Sequence, residues 1–134
     1  MISDPKIVQF DSDENYATVV DLVCFNLGIN SGKYFNNLKD AQTYLNIIQK
    51  SKEFPDIALI SNYLGKSSLD GQDLAKNLKQ ISPKTIIIAY TADEEATWGD
   101  ELALKSTDGV EHSLIAILSK ITGKEFKFDN AKKD

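Results

Sequence analysis

Five short apolar segments along the chain have the pattern of β-strands. Near-continuous apolar or β-branched runs are typical of strands that are buried on both faces of a parallel sheet. The clearest run, 85–90, follows Pro83, and the run 57–61 lies between Pro55 and a polar loop. The predicted strands cover residues 6–10, 33–36, 57–61, 85–90 and 101–105.

Between these strands, apolar residues recur every three or four positions, which is the spacing of helices with one buried face. Gly28 follows the first helix, where a left-handed C-cap residue is expected. Asp108 is predicted to cap the last helix, whose apolar face begins at Val110. The predicted helices cover residues 16–27, residues 38–48, a segment that starts near Leu69 and a segment that follows Asp108.

The alternation of strand and helix predicts the architecture. It favours a doubly wound α/β fold with a five-stranded parallel sheet. Residues 91–98 have room for about two helical turns at most before Gly99 interrupts them. We expect one domain over residues 1–123, and residues 124–134 to form a polar tail or linker stub.

Charge and cysteine content narrow the range of functions. A net charge of −5 argues against direct binding of nucleic acid, because no basic excess is available to neutralise phosphates. Cys24 is the only cysteine, which excludes an internal disulfide and a cysteine-built metal site. No signal peptide and no run of 18 or more apolar residues is visible, so we expect a cytoplasmic protein without membrane insertion.

Five local matches in the same order resemble the receiver domain of two-component response regulators over roughly residues 5–122. The resemblance implies a flavodoxin-like fold and a signalling module that is not an enzyme. Residues 6–14 match the family's first strand and acidic pair, and residues 55–60 match the strand before its phosphorylated aspartate. Residues 69–71 match the Met-Asp-Gly that opens the family's next helix. Thr91-Ala92 match the end of its fourth strand, and Lys105 matches the lysine that ends its fifth strand.

The family's chemistry depends on a few polar side chains. Carboxylates hold Mg²⁺, and one of them accepts a phosphoryl group from a partner kinase. A hydroxyl and a lysine then neutralise the new phosphate, and a shape change follows. In this chain the resemblance maps the site onto Asp11, Ser12, Ser61, Asn62, Thr91 and Lys105.

The phosphoacceptor position does not carry a carboxylate. Ser61 falls on it, and an alignment slipped by one residue would place Asn62 there. Counting from Pro55 and back from Leu64-Gly65 favours Ser61. Because neither side chain can form an acyl phosphate, the resemblance implies a phosphorylation-independent pseudo-receiver. We therefore expect no cofactor, with Mg²⁺ binding lost or weak.

Without an aspartyl phosphate, Lys105 is expected to pair with Asp11 in a structural salt bridge. Asp11, Asp13 and Glu14 either bind a divalent ion weakly or belong to an acidic loop that caps the first helix. Ser61 as a nucleophile would need a base, and His112 is the only histidine. No oxyanion-hole sequence accompanies this pair, so a Ser–His hydrolase is disfavoured.

Two departures from the family concern its signalling face. The family has its switch aromatic three residues before its lysine, and Leu102 stands at that position in this chain. The chain from Thr91 to Lys105 is also about two helical turns shorter than in the family. The family's fourth helix is thus predicted to be shortened or missing. Trp98 either packs over the resulting gap or anchors a partner.

We expect the domain to act by contact with a signalling protein, a sensor kinase or a second copy of itself. The candidate interaction surface consists of Thr97, Trp98, Leu102 and His112. In the alternative interpretation, the vacant acidic pocket binds a small ligand or divalent ion as its input signal.

Overall fold

The computed structural model describes residues 1–127, which form five strands and four helices. Strand and helix alternate along this part of the chain, except that the fourth strand connects to the fifth without a helix. The elements are β1 (Ile7–Phe10), α1 (Asn15–Leu27), β2 (Lys33–Phe35), α2 (Leu38–Ser51), β3 (Ile57–Ile60), α3 (Asp70–Ile81), β4 (Ile86–Thr91), β5 (Glu101–Leu104) and α4 (His112–Thr122).

All five strands are parallel and lie in the order β2-β1-β3-β4-β5. This is the strand order of the flavodoxin-like doubly wound fold, so the predicted fold class is confirmed. The connections from β1 and from β3 run to opposite sides, so the strand order changes direction between these two strands. Side chains that follow the carboxyl ends of these strands therefore meet in one crevice.

Two apolar layers cover the sheet. Successive side chains of a strand point to opposite faces, so Ile57 and Leu59 pack with α1 and α4 while Ala58 and Ile60 pack with α2 and α3. Every residue of β3 is fully buried. The near-continuous apolar run in the sequence is the direct consequence of having a helical layer on each side.

Most element boundaries differ from the predicted ones by one to three residues. The third strand ends at Ile60, the fourth is shifted to Ile86–Thr91, and the second helix continues from the predicted 48 to Ser51. Residues 49–51 of this helix are polar and exposed, so the spacing of apolar residues could not show that the helix continues. Gly28 is the C-cap of α1 with φ +71°, as predicted.

The predicted capping role of Asp108 is wrong. Helix α4 begins at His112, its N-cap position is Glu111, and Val110 lies before the helix. The Asp108 carboxylate instead accepts hydrogen bonds from the Ser106 hydroxyl and from the Val110 N–H in the preceding turn. Because Glu111 turns its side chain into the core, the chain needs this loop before the helix can start.

The family's fourth helix is missing here, in line with the prediction of a shortened or absent element. Residues 92–100 form a turn and bends between β4 and β5. Asp100 fixes the end of this connection, because its N–H donates to the Ile87 carbonyl (2.7 Å) and its carboxylate accepts from the Ile87 N–H (2.8 Å). A short irregular segment thus spans the distance that a helix usually covers.

The segment after α4 folds back onto α1. The Lys127 N–H donates to the Asn26 carbonyl (2.9 Å), and Phe126 packs against the α1–α4 layer. The predicted tail therefore contacts the domain up to residue 127, and residues 128–134 lie outside the described part. Over residues 1–127, none of the helices combines the length and apolar character that crossing a bilayer would require.

Candidate functional site

Four predicted site residues meet at the carboxyl ends of the central strands. Asp11 follows β1, Ser61 follows β3, Thr91 ends β4 and Lys105 follows β5. The first three are buried, and the side chain of Lys105 is 12% exposed. Parallel pairing of the strands gathers these residues, which are distant in sequence, at one edge of the sheet.

Asp11 and Lys105 form a buried ion pair, as the sequence led us to expect. Lys105 Nζ lies 2.7 Å from Asp11 Oδ2. Among the described residues Oδ2 has no well-directed hydrogen bond, so the contact is mainly ionic, whereas Oδ1 accepts the Asp13 N–H at 3.0 Å. Burial raises the pKa of Asp11, and its interaction with Lys105 opposes that rise without cancelling it.

Two tyrosines complete the environment of the lysine. The Lys105 ammonium lies 3.9 Å from the centre of the Tyr16 ring and 5.5 Å from that of Tyr90. The two rings meet edge to face with centroids 5.6 Å apart. The hydroxyl of Ser61 is 3.5 Å from the ammonium, at the limit of a hydrogen bond. Lys105 is therefore held by a carboxylate and an aromatic face.

Tyr90 also connects the site to the loop before α4. Its hydroxyl donates to Oε1 of Glu111, a carboxylate that is only 5% exposed, and Glu111 Oε2 accepts the Ser106 N–H at 3.1 Å. Burial and the Glu111 contact raise the pKa of Tyr90. The sequence reasoning missed Tyr16, Tyr90 and Glu111, since nothing in their spacing shows that they face a lysine.

The remaining predicted site residues lie at the rim. Asn62 Nδ2 donates to Asp93 (3.4 Å), whose own N–H donates to the Thr91 hydroxyl oxygen (3.2 Å). The other amide atom, Asn62 Oδ1, is buried and lacks a hydrogen-bond partner within the described chain. Ser12 is half-buried in the loop after β1.

The acidic loop after β1 is attached to the start of the first helix. Asp13 is exposed, and its Oδ1 accepts the N–H of Asn15, the first residue of α1 (3.0 Å). The N-cap position of α1 is Glu14, whose side chain makes no capping hydrogen bond, so Asp13 holds the loop to the helix from one residue before the N-cap. Across residues 1–127, no three His, Cys, Asp or Glu side chains are placed so that they could hold a metal ion together.

The loop after β3 is held by Asp70, the second residue of the Leu69-Asp70-Gly71 match. Asp70 Oδ2 accepts backbone N–H groups from Leu64 (3.3 Å), Lys66 (2.9 Å) and Ser67 (3.0 Å). Burial alone would raise the pKa of Asp70, but these donors bring it below its ordinary value. The carboxylate thus fixes the loop that frames Ser61 and Asn62.

The four residues of the candidate interaction surface do not form one patch. Trp98 is half-buried against the α2–α3 layer, and Thr97 beside it is exposed. Leu102 alternates along β5 with Ala103, which packs with α4, so Leu102 points to the α2–α3 side. His112 lies at the start of α4, largely exposed, with Nε2 3.8 Å from Asp108 Oδ2.

Comparison with known proteins places the chain by its fold. No protein-family model matches it, and no curated protein matches its sequence. Similar solved structures include a response regulator from Thermotoga maritima (TM-score 0.68, 17% identity), with 90% of this chain and 98% of that one covered. Another is the signal receiver domain of the putative response regulator NarL from Mycobacterium tuberculosis (TM-score 0.65, 15% identity, the same coverage).

A third similar structure is the beryllofluoride-activated DrrB receiver domain (TM-score 0.62, 18% identity), with 90% of this chain and 98% of that one covered. At these identities the likeness establishes the fold alone. The chain therefore has the fold of response-regulator receiver domains.

Proposed function

We propose that this chain is a pseudo-receiver, a regulatory module whose output does not depend on phosphorylation and which acts by binding another protein. The observation that carries the proposal is Ser61, a serine in the position after β3 where the receiver fold presents its phosphoacceptor carboxylate. A hydroxyl is a poor Mg²⁺ ligand and cannot form an acyl phosphate. We assign no catalytic role and no cofactor to the domain.

The state of Lys105 supports the same proposal. In a phosphorylatable receiver the lysine neutralises the incoming phosphate. Here its charge is balanced by Asp11 at 2.7 Å, and its ammonium lies on the Tyr16 ring. An anion at Ser61 would have to compete with a buried carboxylate for this lysine. The pair thus favours one fixed arrangement over a switch between two.

The proposal is tested by exposing the ¹⁵N-labelled full chain to Mg²⁺ and then to beryllofluoride or acetyl phosphate. We expect no saturable amide shifts at Ser61, Thr91 or Lys105, and no added phosphate by intact mass. A receiver domain that has its aspartate serves as the positive control in the same buffer. Saturable shifts across these three residues, or a hydroxylamine-sensitive phosphate, would overturn the proposal.

A second candidate function rests on Asn62. Its buried Oδ1 lacks a hydrogen-bond partner in residues 1–127, and Asp11 Oδ2 is satisfied only by an ion pair. Buried acceptors of this kind are usually paired with something. In this alternative, a small ligand or divalent ion at the acidic pocket is the input signal.

Substitutions separate the two candidates. If Asp11→Ala abolishes the regulatory output and the domain remains folded by circular dichroism, the acidic pocket is the functional site. If only changes at Thr97, Trp98, Leu102 or His112 abolish it, the domain works through its surface. Because Trp98 and His112 lie on opposite sides of the sheet, single substitutions also show which side the partner contacts.

A further inference from the structure

A groove lies at the amino ends of the strands, opposite to the end that carries Asp11 and Lys105. Its volume is about 480 Å³, within the range typical of small-molecule sites. The start of β1, the chain that leads into β2 and the second half of α2 enclose it. Its lining includes Lys6, Ile7, Gly32, Lys33, Tyr44 and Ile47.

The groove follows from a mismatch of lengths at the sheet edge. Helix α2 has 14 residues and is about 21 Å long, whereas the three residues of edge strand β2 span only about 10 Å. Strand β2 pairs with Val8 to Phe10 and leaves Ile7 without a strand neighbour on that side. The second half of α2 therefore extends beyond the strand that it covers.

Gly32 fixes the inner wall of this groove. It has φ +76°, and a Cβ at this position would lie 1.9 Å from the Ile7 carbonyl oxygen. The backbone of residue 32 therefore lies directly against β1, with no side chain that could extend into the space. The groove is a consequence of the fold at this edge and needs no rearrangement to open.

The walls contributed by α2 are apolar. Tyr44 and Ile48 are buried at its base, and Ile47 beside them remains 57% exposed. Pro5, Ile7 and Pro55 add further apolar surface. An exposed isoleucine at the mouth of a concave apolar surface is what a ligand with a hydrocarbon body would cover.

The charges around the groove favour an anion. Lys33 Nζ lies 5.9 Å from the Tyr44 ring, and neither Lys33 nor Lys6 has a carboxylate partner in residues 1–127. Of the two acidic residues that line it, Asp4 is paired with Lys124 at 3.5 Å, and Glu53 has no ion-pair partner within the same part of the chain. Asp56 also lies near this site, because its carboxylate accepts the backbone N–H of Lys6 (2.8 Å), so the groove carries no excess positive charge. What favours an acidic group is that the ammonium groups of Lys6 and Lys33 have no ion-pair partner within residues 1–127.

We propose that this groove is a binding site for a small amphipathic anion, which has an apolar body and one acidic group, such as a medium-chain fatty acid or an aromatic carboxylate. The body lies on Tyr44, Ile47 and Ile48, and the acidic group lies towards Lys33 and Lys6. The site is separate from the Asp11–Lys105 pair and does not depend on how that pair functions.

The test is an amide-resolved NMR titration of the full chain with octanoate, and in parallel with octylammonium, which has the same chain length and the opposite charge. We expect saturable shifts centred on Ile7, Lys33, Tyr44 and Ile47, with tighter binding of octanoate. No saturable shift with octanoate up to the millimolar range would overturn the proposal, as would tighter binding of octylammonium.

Matched variants locate the binding. Ile47→Glu should abolish octanoate binding, whereas Leu22→Glu, at an equally exposed position (52%) on α1, should leave it unchanged. Lys33→Met should weaken octanoate about two- to fivefold, the effect of one exposed ion pair, and Lys33→Glu should weaken it further and strengthen octylammonium. Leu22 and Phe25 are the exposed large apolar side chains of α1. Binding that survives Ile47→Glu, or shifts that centre on these two residues, would place the ligand elsewhere and contradict the proposal.

Discussion

Lys105 has a carboxylate, a hydroxyl and an aromatic ring within 4 Å of its ammonium: Asp11 at 2.7 Å, Ser61 at 3.5 Å and the Tyr16 ring at 3.9 Å. The carboxylate dominates, because a full opposite charge at the shortest distance outweighs a dipole or a ring quadrupole. Asp11 is itself almost fully buried. Each member of the pair thus depends on the other for compensation of its charge.

Removing the lysine should therefore be costly. We expect Lys105→Met to lower the free energy of unfolding by about 3–5 kcal/mol, because it leaves the Asp11 carboxylate buried without a counter-charge. The deficit should be largest at neutral pH and shrink as the pH falls towards the raised pKa of Asp11, where the carboxyl becomes neutral. Urea unfolding across this pH range measures both effects.

Two controls accompany this measurement. The double variant Asp11→Asn, Lys105→Met should regain part of the loss, since no buried charge remains. Lys120→Met removes an exposed pair with Glu101 (3.3 Å; side chains 66% and 35% exposed) and should cost about 1 kcal/mol or less. Equal losses for Lys105→Met and Lys120→Met would contradict a special role for the buried pair.

At the scale of elements, the connection from β3 to α3 frames the site. Gly71 allows the helix start to approach the strand end, because a Cβ there would lie 1.8 Å from the Ser61 carbonyl oxygen. Its N–H donates to the Asn62 carbonyl at 2.9 Å. Together with the three hydrogen bonds to Asp70, this contact fixes the backbone on both sides of Asn62.

Asp70 should make stability depend on pH in the acid range. Because its native pKa is lowered, its contribution is fully present above its unfolded pKa of about 4 and is lost as the pH falls through the native value. We expect Asp70→Ala to cost about 1–3 kcal/mol at pH 7, since three N–H groups lose their acceptor. Chemical unfolding of both proteins between pH 7 and pH 3 measures the difference.

The neighbouring change Asp73→Ala is the control for Asp70. Asp73 lies in the first turn of the same helix but is exposed. Its removal should change stability by only a few tenths of a kcal/mol, through the helix dipole. A stability gap between wild type and Asp70→Ala that stays constant down to pH 3 would contradict the assignment.

At the scale of the whole molecule, the connection between β4 and β5 decides how the sheet is covered. Trp98 packs against the α2–α3 layer and takes part of the position that a helix would fill. Of the two roles considered for it, packing over the gap or anchoring a partner, its half-buried position against this layer favours the first. Because it is the only tryptophan, its fluorescence reports on this segment alone.

We expect the segment to unfold with the domain. Trp98 fluorescence and far-UV circular dichroism should give the same midpoint in urea, because the indole packs on the layer that also holds α2 and α3. The variant Thr97→Ala, at an exposed neighbour, should leave both transitions unchanged. A fluorescence transition at lower urea than the circular-dichroism transition would show that the segment opens locally and is only loosely attached.

Much of the fold could be predicted from the pattern of apolar residues. The continuous runs at β3 and β4 require cover on both faces, and the helical spacing between strands supplies that cover. The short stretch from Thr91 to Lys105 already excluded a full helix. The start of α4 could not be predicted in the same way, because Asp108 is a good capping residue by type and only the inward turn of Glu111 moves the helix start to His112.

The sequence by itself determined the order of the elements and which residues follow the strands, since both depend on local spacing. The resemblance to receiver domains then mapped a site onto Asp11, Ser61, Thr91 and Lys105 and led to the predicted pairing of Asp11 with Lys105. Only the tertiary structure brought Tyr16 and Tyr90 to that pair, linked Tyr90 to Glu111, and left the groove beside β2. Contacts between distant segments, and the mismatch in length between α2 and β2, arise from packing in three dimensions and have no periodic signature along the chain.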